Sequence, residues 1–120
     1  MNRILVAEDD PVVRKLIGLQ LAQNKFHVTE VENGEAAFEK LKSEAFDLLV
    51  TDRNMEPGMN GIELARIASK IQPRILIILF TSDFKGLENN RPACIHRTVI
   101  KPEGLSRLPD VIRELLSAKV

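Results

Sequence analysis

Five side chains in this 120-residue sequence stand at the carboxyl ends of short apolar runs, and together they suit one kind of chemistry. Asp9 and Asp10 follow the run Ile4–Ala7, Asp52 follows Phe46–Thr51, Thr81 follows Arg74–Phe80, and Lys101 follows Thr98–Ile100. Three carboxylates make a hard-oxygen site. Mg²⁺ suits such a site because it takes a few carboxylate and carbonyl ligands, keeps several waters and bridges to phosphate oxygens; Mn²⁺ is the alternative ion. A lysine beside them would neutralise charge on an acceptor carboxylate and then on an incoming phosphoryl group. The Thr81 hydroxyl would donate to a phosphoryl oxygen. Metal-assisted phosphoryl transfer to a carboxylate needs this combination, since the protein must gather charge and hold the phosphoryl group in line.

Each residue also has a plainer reading. Asp10 before Pro11 would cap a helix in any fold, Asp52 could begin a turn, and most lysines are solvated. The agreement among the five, each at a strand end, favours the chemical reading. His27 and His96 have no partner at metal-ligand spacing. Cys94, the single cysteine, has no neighbour that would make it reactive and reads as a small packing residue.

The elements that must carry these residues alternate between β-branched apolar runs and stretches of helical period. Strands are expected at Ile4–Ala7, Phe26–Val31, Phe46–Thr51, Arg74–Phe80 and Thr98–Ile100. Helices are expected after Asp10-Pro11, where Val13, Ile17 and Leu21 recur on one face, after Asn33-Gly34, and after Asn60-Gly61, where Leu64, Ala65, Ala68 and Ile71 form a stripe. A last amphipathic helix carries Leu105, Leu108, Ile112, Leu115 and Leu116, with Pro109 early enough for a first turn. Between Asp83 and His96, Gly86, Asn89, Asn90 and Pro92 interrupt any helical stripe, so the expected fourth helix is short, distorted or absent. Apolar strands separated by helices belong in a parallel sheet covered on both faces. The expectation is a single α/β domain over residues 1–120, a three-layer doubly wound five-stranded sheet whose ligands bind beyond the carboxyl ends of the strands.

Composition excludes several classes. Lys plus Arg and Asp plus Glu balance at 17 each, so no global field points to nucleic acid or to an anionic membrane. No apolar run approaches the roughly 18 residues of a membrane span, and Met1–Ala7 runs straight into acidic residues rather than into a secretion signal. A cytoplasmic location is expected.

These motifs resemble, over almost the whole chain, the receiver domain of two-component response regulators. The matching residues are Val6-Ala7-Glu8-Asp9-Asp10, Val50-Thr51-Asp52-Arg53-Asn54-Met55, Gly61, Thr81-Ser82 and Lys101-Pro102. The resemblance implies a flavodoxin-like strand order 2-1-3-4-5 and Asp52 as phosphoacceptor. It implies Mg²⁺ bound by Asp10, Asp52 and the backbone carbonyl of Asn54, with Asp9 holding the water shell, and Thr81 and Lys101 acting on the phosphoryl group. It further implies phosphate drawn from a sensor histidine kinase or a phosphotransfer protein, an output through a downstream protein or fused output domain, and catalysis only of its own phosphorylation and dephosphorylation.

The chain departs from the family pattern in three places. Met55-Glu56-Pro57-Gly58-Met59-Asn60-Gly61 carries one extra residue, Thr98 replaces a commonly aromatic residue, and the region of the fourth helix is poor in helical pattern. The runner-up is therefore a pseudo-receiver, a binding module that signals without phosphorylation. A flavodoxin-type electron carrier would need a Ser/Thr/Gly-rich phosphate loop where this chain has Asp9-Asp10, and a nucleotide hydrolase would need a glycine-rich loop ending in Lys-Ser/Thr.

Overall fold

A computed structural model describes residues 2–87 and 90–118; of the residues considered above, Met1, Asn89 and Val120 lie outside the described residues. In chain order the elements are β1 (Arg3–Ala7), α1 (Pro11–Gln23), β2 (His27–Val31), α2 (Gly34–Ser43), β3 (Leu48–Thr51), α3 (Gly61–Ile71), β4 (Leu76–Thr81), β5 (Arg97–Ile100), a 3-10 turn (Glu103–Arg107) and α4 (Leu108–Ala118). The five strands form one sheet in the order β2-β1-β3-β4-β5, every pair parallel. The winding reverses between β1 and β3, which places a crevice beyond their carboxyl ends.

Strand residues alternate between two cores because successive side chains leave a strand on opposite faces. Ile4 and Val6, Leu48 and Val50, and Ile78 and Phe80 pack with Ile17 and Leu21 of α1 and Leu108 and Ile112 of α4. Leu5 and Ala7, Leu49, and Ile77 and Leu79 pack with Leu41 of α2 and Leu64 and Ala68 of α3. Fully burying one Leu or Ile contributes roughly 1.5–3 kcal/mol, so a sheet apolar on both faces is stable only with both layers in place. Among the described residues, no helix is long and apolar enough to cross a membrane.

The helix starts follow local chemistry. Asn33 accepts from Ala36 N, and Asn60 forms a reciprocal capping box with Glu63. Three strands begin later than the sequence pattern suggests, because a preceding backbone group is already committed. Phe26 N donates to Leu21 O and so belongs to the end of α1, Phe46 N donates to the Gln72 amide oxygen, and Ile75 N closes a turn to Gln72 O. Between β4 and β5 the described residues form turns and no helix. Leu87 and Ile95 nevertheless reach the core, with Phe84 and Cys94 partly buried against it, so two anchored side chains cover the face that a helix would otherwise cover.

Candidate functional site

The carboxyl ends of β1, β3, β4 and β5 converge on one edge. Asp52 follows β3, its amide donating to Ala7 O at the end of β1 and one carboxylate oxygen accepting from Arg53 N at 2.6 Å. Lys101, just past β5, donates to the other Asp52 oxygen at 2.8 Å and also to Glu8 Oε1. Burial acts to lower the Lys101 pKa, but the hydrogen bonds and charges of Asp52 and Glu8 outweigh it and hold the pKa above the usual lysine value.

Glu8 is the residue that the motif reading passed over. It is 1% exposed, and one oxygen accepts from Asp10 N at 3.1 Å. Burial raises its carboxyl pKa above the ordinary value, against the lowering contacts of Lys101 and Asp10 N. Carboxylate oxygens of Glu8, Asp9 and Asp52 all lie within 4.8 Å of one another. Such a donor set, all oxygen and partly neutralised by one ammonium, fits a hard divalent cation.

Asp10 departs from the expected ligand set. Its Oδ1 accepts from Val12 N at 2.9 Å and Val13 N at 3.3 Å, capping α1 ahead of Pro11. The acidic group that the structure assembles is Glu8, Asp9 and Asp52 rather than Asp9, Asp10 and Asp52. The signal was present in the sequence: Pro at the first helical position assigns the preceding Asp to the cap, which leaves the two acids before it for the site.

Thr81 is buried, and its Oγ1 accepts from Asp83 N at 3.1 Å, so its hydrogen remains available for a phosphoryl oxygen. The Asn54 side-chain amide donates to Asp83 Oδ2 at 3.0 Å. Asp83 collects further donors from Arg53 and Lys85 N. The Asn54 hydrogen bond, then that of Lys85 N, and the charges of Arg53 and Lys85 hold its carboxyl below the usual range.

The loop after Asp52 closes tightly. A side chain on Gly61 would place Cβ 1.9 Å from Asp52 O, and Gly61 N donates to Arg53 O at 2.8 Å. In the same loop Gly58 adopts φ +106°, a region closed to most side chains. The next amide, Met59 N, donates to Glu35 Oε2 at 2.8 Å.

Beside this edge, α1 exposes an apolar stripe of Val12, Leu16 and Leu19, which are 67%, 48% and 52% exposed. Their spacing puts them on one helix face, and contiguous exposed apolar residues mark contact surfaces.

Comparison with known proteins agrees with this geometry. Residues 4–113 match the family described as response regulator receiver domain. The response regulator receiver protein CpdR of Brucella abortus (strain 2308) is 40% identical over 121 residues, covering 98% of this chain and 99% of CpdR. Longer relatives match in part of their length: the transcriptional regulatory protein GlrR of Escherichia coli (strain K12) is 33% identical over 79 residues, 66% of this chain but 18% of GlrR. Among solved structures, the response regulator TrrA of Thermotoga maritima in complex with Mg²⁺-BeF superposes with a TM-score of 0.87 at 30% identity, covering 96% of this chain and 99% of that one. TrrA bound to the histidine kinase ThkA gives 0.84 at 31% identity, covering 97% and 99%. With its 2-1-3-4-5 sheet, its acidic cluster and its lysine at one edge, this chain belongs to the receiver-domain family of response regulators.

Proposed function

We propose that Asp52 is the phosphoacceptor of this receiver and that the Lys101 ammonium, shared between Asp52 and Glu8, is the feature that makes it one. The donor is a phosphohistidine of a sensor kinase or phosphotransfer protein. An Asp52 oxygen attacks phosphorus, the N–P bond breaks, and the imidazole nitrogen leaves with the electron pair. Lys101 already faces Asp52 and follows the developing charge onto the phosphoryl oxygens, where an ammonium in a partly buried site is worth more than in water. The Thr81 hydroxyl donates to a second phosphoryl oxygen.

Asp9, Asp52 and Glu8 would hold Mg²⁺, or Mn²⁺ in its place, with the Asn54 backbone carbonyl as a further ligand; the ion supplies charge neutralisation between the carboxylates and the phosphoryl group. Asp10 is left to the helix. The domain acts on no other substrate and catalyses only its own phosphorylation and the hydrolysis that reverses it. The α1 stripe is the surface on which the phosphodonor protein seats, and a downstream protein or a fused output domain receives the signal in the cytoplasm.

The runner-up, a pseudo-receiver that works without phosphate, is disfavoured by the assembly of carboxylates, lysine and threonine at one edge. Intact-mass measurement after incubation with Mg²⁺ and acetyl phosphate tests the reading. One added phosphoryl group, absent in Asp52→Ala, is the expected result; an unmodified wild-type chain would refute it.

A further inference from the structure

Thr81 and Asp52 end adjacent strands, and the segment after Thr81 has no helix among its described residues to fix its course. Thr81 itself is held in the sheet, its carbonyl accepting from Lys101 N, so what remains to be tied down is the chain that leaves it and brings Asp83 N to its hydroxyl. The ties come from one residue above all. Arg53 Nη1 donates to Asp83 O at 3.1 Å, to Asp83 Oδ1 at 3.3 Å and to Lys85 O at 2.7 Å, whereas Asn54 adds a single bond, to Asp83 Oδ2. Asp83 in turn donates its backbone N–H to Thr81 Oγ1. At its other end, Arg53 donates its own backbone N–H to Asp52 Oδ1. A single residue next to the acceptor thus holds the acceptor carboxylate with its main chain and the threonine corner with its side chain.

We propose that Arg53 is the positioning residue that sets the Thr81–Asp83 corner against the phosphoryl group carried by Asp52. The inference rests on the reading of Asp52 as phosphoacceptor and adds the element that aligns the second phosphoryl contact. Arginine suits the task because its planar guanidinium is pre-organised, so little freedom is lost for each bond formed, whereas a lysine ammonium on a flexible stem is a point charge without that fixed geometry. The Arg53 side chain is 21% exposed, so its bonds are partly shielded from competition with water. Arg53 itself does not touch the phosphoryl group; it acts through Asp83 and Thr81.

Beryllofluoride with Mg²⁺ serves as the probe for the phosphoryl group, its affinity measured by calorimetry on the full chain. Arg53→Ala is expected to bind it about tenfold more weakly, Arg53→Lys about threefold, while affinity for Mg²⁺ alone stays within about twofold. In a Thr81→Ala background, the further loss on Arg53→Ala should fall to about twofold or less, because the two residues act along one path. Wild-type affinity in Arg53→Ala, a loss that multiplies undiminished onto Thr81→Ala, or an equal loss of Mg²⁺ affinity would each overturn the proposal. If Arg53→Ala shows no cooperative unfolding transition, the same cycle with Arg53→Met, which keeps the stem and removes the guanidinium, decides the question by the same criteria. A wild-type chain that does not bind beryllofluoride refutes the Asp52 assignment instead, and so keeps the two failures apart.

Discussion

Glu8 and Lys101, 93 positions apart in the chain, meet in a hydrogen-bonded ion pair at the edge of the sheet. The two halves of the pair have unequal consequences. Lys101→Ala leaves Glu8 and Asp52 without their ammonium partner, and breaking such a pair from one side is costly. Urea unfolding should show a loss of about 2–3 kcal/mol. Glu8→Gln removes a charge that burial already disfavours, so without Mg²⁺ it is expected to stabilise the fold by about 1 kcal/mol. A destabilised Glu8→Gln would show that the pair is worth more than the burial it opposes.

Acidity should control the response to metal. The Glu8 carboxyl sits above its ordinary value in the folded chain, chiefly because of burial, so the folded state holds that proton more tightly than the unfolded state. Its contribution to stability is fully present below the unfolded value and is lost as pH rises through the raised native value. A divalent ion must displace that proton. The rise in melting temperature produced by millimolar Mg²⁺ should therefore grow as pH rises above the ordinary carboxylate range. A shift of the same size at every pH would exclude Glu8 from the metal site.

Two glycines separate a fixed contact from a yielding one. At Gly61 a new Cβ meets the Asp52 main chain, at 1.9 Å from O and 2.8 Å from C, and that backbone cannot move without moving the acceptor. Gly61→Ala is expected to cost about 3 kcal/mol or more and to abolish phosphorylation by acetyl phosphate. At Gly18 the obstacle is the carboxylate end of Glu30, 2.1 Å away, which can swing aside, and alanine favours the helix by about 1 kcal/mol. Gly18→Ala should change stability by less than about 1 kcal/mol, and calorimetric melting of both variants checks the contrast.

The α1 stripe can be tested apart from the chemistry. Leu16→Arg alters an exposed side chain, so stability should change by no more than about 0.5 kcal/mol. Phosphorylation by acetyl phosphate should stay within about twofold of wild type, while transfer from a phosphorylated kinase falls about tenfold or more. Equal rates from the kinase before and after the substitution would move the docking surface elsewhere.

The sheet was legible because its strands carry continuous apolar runs and its helices carry capping residues, and both signals are local. The meeting of Asp52 and Lys101 at one edge was legible for the same reason: each directly follows a strand. Asp10 satisfied two patterns at once; the structure commits its Oδ1 to the cap of α1 ahead of Pro11, while the carboxylates that lie together are those of Glu8, Asp9 and Asp52. The contacts of Arg53 and Glu35 were not legible, since they reach residues 30 and 24 positions away respectively, and no periodicity records such pairings. The late start of β3 has the same origin, because it depends on the amide of Gln72 26 positions further on.

The absence of a helix among the described residues between β4 and β5 has a mechanical consequence. A helix is a rod: it shifts or rotates as a whole, and a signal at one end arrives at the other undivided. Here the covering segment is a strap pinned by Leu87 and Ile95 and buckled to the acceptor loop by Arg53. What Arg53 holds directly is Asp83 and Lys85, through their carbonyl oxygens, so the tie couples the Asp52 loop to the first residues after β4 without a lever arm.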